Sequence, residues 1–246
     1  MITQVLQRLS ARTTVLAGVC LGAALAVAAP VDGAVIVRYD LSPATTNSVG
    51  SQWVQIQDDV TASRYTFHGT TSVSSGTHNV RVDSGTNIQK LSSIEASIEN
   101  DMYGAFSVTV ADGQQLSLSS LQFGMRNDRG YPGQFFSVHL RSSLDGFASD
   151  VAVATQLRTD ADTADTQGPE TKTIDLSSAA FQELTGTVTF RLYMVTTIVN
   201  NTGSGEYIRI MPDIILNGEV APAVPEPAML GLAGLGGLVM VRRRRA

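Results

Sequence analysis

Three histidines, His68, His78 and His139, are the only side chains in the sequence that suit a general base for an activated serine, threonine or cysteine nucleophile. No Gly-x-Ser-x-Gly elbow accompanies them, and Gly203-Ser204-Gly205 is typical of a flexible turn. His139 falls in an alternating strand pattern that places it on the solvent face, and the other two histidines are predicted to lie in loops. A histidine-based active site is therefore not favoured.

Carboxylates offer two other kinds of chemistry, and neither has a supporting pattern. A glycosidase needs two of them facing each other across a cleft, and no spacing in the sequence predicts such a pair. A calcium site built from loop oxygens is the other reading. Its weak candidates, Asp160, Asp162 and Asp165, lack the glycine and distal glutamate of an EF-hand loop. We expect no enzyme activity and no cofactor.

Aromatic side chains that stack on sugar rings are the remaining route to a binding site. Aromatics make up only 6% of the chain. Tyr131 precedes a proline in a predicted turn, whereas Trp53, the single tryptophan, is equally compatible with the core. The candidates for sugar stacking are Trp53, Tyr103, Tyr131 and Phe135.

The middle of the chain, residues 35–220, has the period of two that is typical of β-strands. Phe136, Val138 and Leu140 alternate with polar residues, and turn sequences such as Asp145-Gly146 recur between the strands. The run from Leu116 to Met125 alternates with one extra residue at Ser119-Ser120, which predicts a β-bulge. The fold class is predicted as all-β, a single jelly-roll-like antiparallel sandwich.

The charge of this middle region argues against nucleic acid as a partner. Removing residues 1–34 and 225–246 leaves 11 basic and 20 acidic residues, a net charge of −9. Phosphate backbones require a basic surface. The one cysteine, Cys20, lies before the domain, so no cysteine-based metal site is predicted.

Residues 1–34 have the pattern of a signal peptide. Arg8 and Arg12 precede an apolar stretch from Thr13 to Ala29, and small residues follow. Cleavage could occur after Ala28, with Ala26 at the −3 position, or before Ala34, with Val31 and Gly33 at −3 and −1. Signal peptidase and the secretion translocon are then partners. An uncleaved anchor helix is the alternative, although the stretch is short for a membrane span.

The last 26 residues, 221–246, combine a linker with a membrane-directed tail. A hydrophobic helix of fourteen apolar or glycine residues, Ala228 to Val241, is predicted to enter the bilayer, where its length is marginal for a permanent span. The arginines behind it would stay on the cytoplasmic side. In order, the tail contains the processing residues Val224, Pro225, Glu226 and Pro227, and the membrane-orienting residues Arg242, Arg243, Arg244 and Arg245.

This tail resembles the PEP-CTERM sorting signal of Gram-negative bacteria in its Pro-Glu-Pro triplet, its Gly/Leu-rich segment and its terminal arginines. The resemblance implies recognition by an exosortase, cleavage near the triplet, and a host that makes extracellular polysaccharide. An ordinary tail anchor with a chance triplet is the alternative. The implied location is the cell envelope, the cell surface or the extracellular matrix, after export across the inner membrane.

A second resemblance, to PEP-CTERM proteins of planctomycete and verrucomicrobial type, lies in the middle of the chain. Leu118-Ser119-Ser120-Leu121-Gln122-Phe123 precedes Arg141-Ser142-Ser143-Leu144-Asp145-Gly146-Phe147, as an LxSLxF strand precedes an RSSLDGF strand and turn in those proteins. The sequence departs from them at Met125-Arg126-Asn127, where an Arg-Arg or Arg-Ser pair is common. We expect Leu144 and Phe147 to pack while Asp145-Gly146 turns the chain.

Three functions remain open at this stage. The first is a non-catalytic, exosortase-sorted surface or matrix protein. The second is a carbohydrate-binding module that acts on extracellular polysaccharide and would show a row of exposed aromatics. The third is a hydrolase of unrecognised type, which would show converging carboxylates or a histidine pair in a cleft.

Overall fold

Two antiparallel β-sheets face each other across one hydrophobic core. The structure, a computed structural model, describes residues 33–41, 53–69, 72–74, 77–81, 90–128, 135–157, 169–197 and 207–223. The described strands, in chain order, are β1 (Ala34–Tyr39), β2 (Trp53–Ile56), β3 (Val60–Ala62), β4 (Thr66–Phe67), β5 (Ser72–Ser74), β6 (Thr77–Arg81), β7 (Tyr103–Val110), β8 (Gln114–Asp128), β9 (Phe135–Ser142), β10 (Ala152–Leu157), β11 (Glu170–Asp175), β12 (Thr187–Thr197) and β13 (Tyr207–Pro222).

Strands adjacent in sequence mostly belong to different sheets. The first sheet has the order β11-β8-β13-β1-β2, with β6 also paired to β13 and β5 paired to β6. The second sheet has the order β10-β9-β12-β7-β3, with β4 also paired to β7. All of the described strand pairs are antiparallel. The prediction of an all-β sandwich is confirmed.

The period of two in the sequence explains the core. In β9 and β12 the apolar members of the alternation are fully buried, whereas the polar members point away from the opposite sheet. Aromatic rings meet at the centre of the core, with Phe106 5.4 Å from Phe190 and 5.2 Å from Tyr39 between ring centroids. Full burial of each such ring contributes about 1.5–3 kcal/mol relative to exposure.

The predicted irregularity in β8 is confirmed as a β-bulge. Asn217 of β13 pairs with Ser120, but the next residue, Gly218, pairs with Leu118, so Ser119 is the extra residue. This insertion allows both Leu118 and Leu121 to face the core. Gly218 is required beside the bulge because a Cβ atom there would lie 2.4 Å from the carbonyl oxygen of Ser117.

Helical structure in the described residues is short. Helix α1 (Ile94–Glu99) begins after Ser93, whose side-chain oxygen accepts a hydrogen bond from the Ala96 amide. Ser97 donates a 2.6 Å hydrogen bond to the carbonyl oxygen of Met194 and so fixes the helix on β12. Two 3₁₀ turns, Ser143–Asp145 and Ala179–Phe181, follow β9 and β11.

The first and last strands of the sandwich meet at one end. Ala34, the first residue of β1, pairs with Gly218, four residues before the end of β13. At the other end, Tyr207 of β13 pairs with Asp128 at the end of β8. The strand ends that border residues 129–134, 158–168 and 198–206 therefore share the end opposite to Ala34 and Pro222.

Candidate functional site on the outer face of the second sheet

Polar and aromatic side chains cross the outer face of the second sheet in register. His139 of β9 pairs with Tyr193 of β12, which pairs with Tyr103 of β7. One step along the same strands, Arg141 pairs with Arg191. Because side chains two residues apart share a face, these residues form one surface with His68, Phe147 and Asp150, which we call the outer-face cluster.

Asp150 is the anion of the outer-face cluster and joins two side chains of β9. Its Oδ2 atom lies 2.7 Å from Nδ1 of His139, and its Oδ1 atom accepts a 2.7 Å hydrogen bond from Nε of Arg141. Burial acts to raise the pKa of Asp150, but the hydrogen bonds from His139 and Arg141 outweigh it and lower the pKa below its usual value. Asp150 is therefore a carboxylate at neutral pH.

Arg141 also holds the connection between β9 and β10. Its Nη1 atom donates to the carbonyl oxygens of Phe147 (3.0 Å) and Ala148 (3.3 Å). Asp145 accepts hydrogen bonds from the amides of Ala148 and Ser149, and contacts with Ser149 lower its pKa. These contacts close the loop after β9 and fasten it to the outer face of the sheet.

The conformation of this loop corrects one packing prediction. Gly146 and Phe147 both have left-handed φ angles, 70° and 64°, so the predicted turn at Asp145-Gly146 is present. Leu144, which was expected to pack, is 44% exposed. It lies in the 3₁₀ turn that leaves the sheet, and the left-handed pair after it directs Phe147, not Leu144, back over the sheet.

Arg191 is the second cation at the centre of the outer-face cluster, and it has no carboxylate partner among the described residues. Its guanidinium carbon lies 3.9 Å from the centroid of the Phe147 ring and 4.7 Å from that of Tyr103, both within cation–π range. One hydrogen bond, 3.2 Å from Nη1 to the Tyr193 hydroxyl, accompanies these contacts. Arg191 is half-buried at this position.

His68 extends the outer-face cluster beyond β7. Its ring stacks on Tyr103 with 4.4 Å between ring centroids, and its backbone amide donates to the Tyr103 carbonyl oxygen. Burial is the main cause of a lowered His68 pKa, and the positive charge of Arg191 acts in the same direction, against Asp101. The ring is therefore neutral at pH 7.

Two predictions about histidines have different outcomes. His139 faces away from the core, as expected, because its neighbours Val138 and Leu140 are fully buried. His78 was expected in a loop, but it lies in β6, where it pairs with Ile210. The strand was not predicted because the residues on both sides of His78 are polar and show no alternation. It forms through pairing with β13.

Ser137, His139 and Asp150 have the hydrogen-bond order of a catalytic triad. The Ser137 hydroxyl lies 3.3 Å from Nε2 of His139, and Asp150 contacts the other ring nitrogen. A nucleophile must be reached by its substrate, yet Ser137 is only 3% exposed. Its geometry therefore suits a structural hydrogen bond better than attack on a carbonyl.

The sugar-stacking candidates are not brought together as one row in the described residues. Tyr103 is 7% exposed, and it forms a small outer-face core with Ala105 and Tyr193 against which Ile94 of α1 packs. Phe135 begins β9, opposite Leu157, and is half-buried. Trp53 begins β2, opposite Tyr39. Tyr131 lies outside the described residues.

The remaining predicted sites also fall outside the described residues. These are the calcium candidates Asp160, Asp162 and Asp165, the processing residues 224–227 and the arginines 242–245. In the part of the chain that the structure describes, no group of three or more His, Cys, Asp or Glu side chains could hold a metal ion. No helix there is both long and apolar enough to cross a membrane.

The centre of the outer-face cluster was not predicted from the sequence. The alternation in β9 and β12 would have placed His139 with Arg141 and Arg191 with Tyr193 on polar faces. It does not show which strands are neighbours, and Asp150 lies in a connection without any repeating pattern. The register of β9 and β12 brings these groups together.

Comparison with known proteins identifies the tail. The model of the PEP-CTERM protein-sorting motif matches residues 223–245, directly after β13 ends at Pro222. This motif indicates an exported protein that an exosortase processes and that reaches the cell surface or envelope. No curated protein matches the chain in sequence.

Two solved structures from Porphyromonas gingivalis W83 share low similarity with the chain. One is the K1 cleaved adhesin domain of Lys-gingipain, with 13% identity, a TM-score of 0.33, and coverage of 74% of this chain and 97% of that domain. The other is the K3 cleaved adhesin domain, with 12% identity, a TM-score of 0.32, and coverage of 75% and 99%. Similarity at this level carries no argument about function.

Proposed function

We propose that this chain is exported through its N-terminal signal peptide, sorted by an exosortase, and displayed as a non-catalytic β-sandwich at the cell surface or in the extracellular matrix. The observation that carries the proposal is the position of the sorting motif. It begins at residue 223, where the last hydrogen bond of the described part of the sandwich runs from the Ala223 amide to the Gly113 carbonyl oxygen.

This position supports processing without damage to the domain. β13 lies between β8 and β1 in the first sheet, and its pairing with β8 continues to Pro222 opposite Gln114. A cut near Pro225-Glu226-Pro227 would leave all of these pairs intact. The prolines on both sides of Glu226 would keep the cleaved segment extended.

The N-terminal side has the same arrangement. β1 begins at Ala34 and pairs with Gly218, and a Cβ atom on Gly33 would lie 2.7 Å from the Gly218 amide nitrogen. Removal of the signal peptide before Ala34 would leave β1 whole. The two processed ends would then emerge at the same end of the sandwich, and the opposite end would point away from the membrane.

The topology of the described strands supports the finer fold assignment, a single jelly-roll domain over residues 35–220. From β7 to β13 the chain places successive strands in the second, first, second, second, first, second and first sheets. Together with β1, this order gives the sheets β1-β13-β8-β11 and β7-β12-β9-β10, the two four-stranded sheets of a jelly roll.

The non-catalytic part of the proposal is supported by what the polar side chains do. Asp150 and Arg141 fasten a loop, and Ser137 lies beneath the surface. In this reading the outer-face cluster stabilises the second sheet and performs no chemistry.

Carbohydrate binding is the second candidate, and Arg191 is the observation that favours it. Its guanidinium lies over the half-buried Phe147 ring, and Arg191 is itself only partly buried. Such a group can hydrogen-bond sugar hydroxyls or a sugar carboxylate. Sedimentation with extracellular polysaccharide from the host tests this: R191Q should lose binding, and K172Q, which removes a charge from the other sheet, should retain it.

The sorting proposal is tested by the intact mass of the protein recovered from envelope and medium fractions of its host. We expect loss of both ends, with a new C-terminus near Pro225-Glu226-Pro227. A variant with the triplet replaced by three alanines should accumulate uncut in the membrane fraction. A wild-type protein that keeps its complete tail would contradict exosortase processing.

A further inference from the structure

The last residues of β13 have a strand neighbour on one side only. From Ile215 to Gly218, residues of β13 pair both with β8 and with β1. The pairing with β1 stops where Gly218 meets Ala34, whereas the pairing with β8 continues through residues 219–222. Among the described residues, this four-residue segment, which we call the strand end, therefore pairs with β8 alone.

The strand end is held less firmly than the part of β13 that precedes it. Glu219, Ala221 and Pro222 are exposed, and Val220, which is only partly buried, is the member that packs against the core. Pro222 has no N–H group to donate to β8. In an antiparallel pair, alternate residues direct their backbone groups toward the partner strand. The other backbone groups of the strand end therefore face away from β8.

A β-bulge marks the boundary between the strand end and the rest of β13. Asn217 pairs with Ser120 and Gly218 pairs with Leu118, so the ladder is interrupted at the residue where the pairing with β1 stops. Because Gly218 has no side chain, its backbone can rotate more freely than that of other residues once the strand end has separated. The strand end can therefore detach while the two-sided pairing before it remains.

The position of the sorting motif gives such detachment a use, and this step rests on the proposed sorting. Only Ala223 and Val224 separate the end of β13 from the triplet Pro225-Glu226-Pro227. A cleft that cuts an extended peptide must enclose residues on both sides of the bond, and two residues span only about 7 Å. Release of the strand end adds four residues, or about 13 Å.

We propose that the strand end detaches from β8 when the sorting enzyme binds the triplet, bends away at Gly218, and pairs with β8 again after the cut. The sandwich before Gly218 stays folded during this step, because β13 keeps both of its neighbours there. Segments with few buried contacts open locally at a lower free energy than the whole domain. The triplet can then enter a cleft although it lies close to the folded domain.

Hydrogen exchange in the full chain, in detergent micelles, measures the detachment without any enzyme. The Ala223 amide makes the last hydrogen bond to the turn before β8, and alternation directs the amides of Glu219 and Ala221 toward β8 as well. These three amides should exchange as one group, roughly tenfold faster than the amides of Leu216 and Asn217. Equal exchange rates in the two groups would overturn the proposal.

A disulfide across the strand end tests its role in processing. Gln115 and Ala221 lie directly opposite each other, within the Cα separation that a disulfide requires. In the full chain with Cys20→Ser, which removes the one native cysteine, the double variant Q115C/A221C should fold but keep its tail in the membrane fraction of the host. Reduction with dithiothreitol should restore the cut.

The matched control is Q122C/I215C, which joins the same two strands before the bulge. It should be cut as wild type is, because it leaves the strand end free to detach. Equal processing of the two double variants, with both disulfides verified by mass, would overturn the proposal. A wild-type chain that keeps its tail would contradict the sorting instead, and hydrogen exchange would still decide whether the strand end detaches.

Discussion

Nε of Arg141 lies 2.7 Å from Oδ1 of Asp150, and this pair fastens the β9–β10 connection to the outer face of the second sheet. The same carboxylate contacts His139 through its other oxygen. Exposed ion pairs contribute little to stability, but the Arg141 side chain is only 13% exposed. We therefore expect the pair to have a measurable effect on folding.

Substitution D150N should lower the free energy of unfolding by about 1–2 kcal/mol at pH 7, after allowance for partial exposure. The folded pKa of Asp150 lies below its unfolded value of 3.8. The stabilisation is thus fully present above that value and is lost as the pH falls through the folded pKa. Urea unfolding should show a difference in the free energy of unfolding between wild type and D150N at pH 7, and this difference should become smaller near pH 3. D112N, which changes an exposed residue in a turn, is the control. An equal difference in the free energy of unfolding at both pH values would contradict a stabilising role for the Asp150 charge.

Substitution R191Q should raise the pKa of His68. Burial and the Arg191 charge both lower that pKa, and the substitution removes the second cause. The pKa of His68 is lower in the folded state than in the unfolded state. The free energy of unfolding is therefore highest above the unfolded pKa, where the ring is neutral in both states, and it decreases as the pH falls below that pKa. Titration of the His68 ring protons by NMR measures the shift. K172Q, on the other sheet, should leave the His68 titration unchanged, and the same result for R191Q would refute the coupling.

Two glycine substitutions should differ in cost for distinct reasons. A Cβ atom at Gly104 would lie 1.8 Å from the hydroxyl of buried Tyr65, so G104A should cost about 3 kcal/mol of stability. Gly113 has a φ of 78° and no atom within 4 Å of the added carbon, so G113A should cost only about 1–2 kcal/mol. Urea unfolding of both variants measures the difference. Equal losses of stability in the two variants would show that the clash with Tyr65 does not determine the cost of G104A.

Much of the fold could be predicted because alternation records which face of a strand is buried. The β9 pattern places Phe136, Val138 and Leu140 in the core, and the extra residue in β8 reveals the bulge at Ser119. The strand β6 was missed because its residues, Thr77 to Arg81, are mostly polar. Its pairing with β13 depends on tertiary context, which local propensity does not contain.

The outer-face cluster was predictable only in part. Alternation identifies Arg141 and Arg191 as outward residues, but their direct opposition depends on the pairing of β9 with β12, fifty residues apart in sequence. Asp150 joins them from a connection whose shape depends on left-handed residues at Gly146 and Phe147. The sorting motif at residues 223–245 was predictable because it is a linear pattern that needs no tertiary partner.

Truncation at two points should separate the domain from its tail. A chain that ends at Ala223 keeps every described pair of β13, including Pro222 opposite Gln114, and the hydrogen bond from Ala223 to Gly113. We expect its urea midpoint to equal that of the full domain.

A chain that ends at Gly218 loses the four pairs from Glu219 to Pro222, and the first residues of β8 then keep only the bridge between Leu116 and Leu184. Because Val220 also packs against the core, the loss should reach about 3 kcal/mol or more. Circular dichroism during urea unfolding compares the two truncated chains. If the chain that ends at Ala223 were the less stable one, the sorting tail would contribute to the fold, and its removal by an exosortase would not leave the sandwich intact.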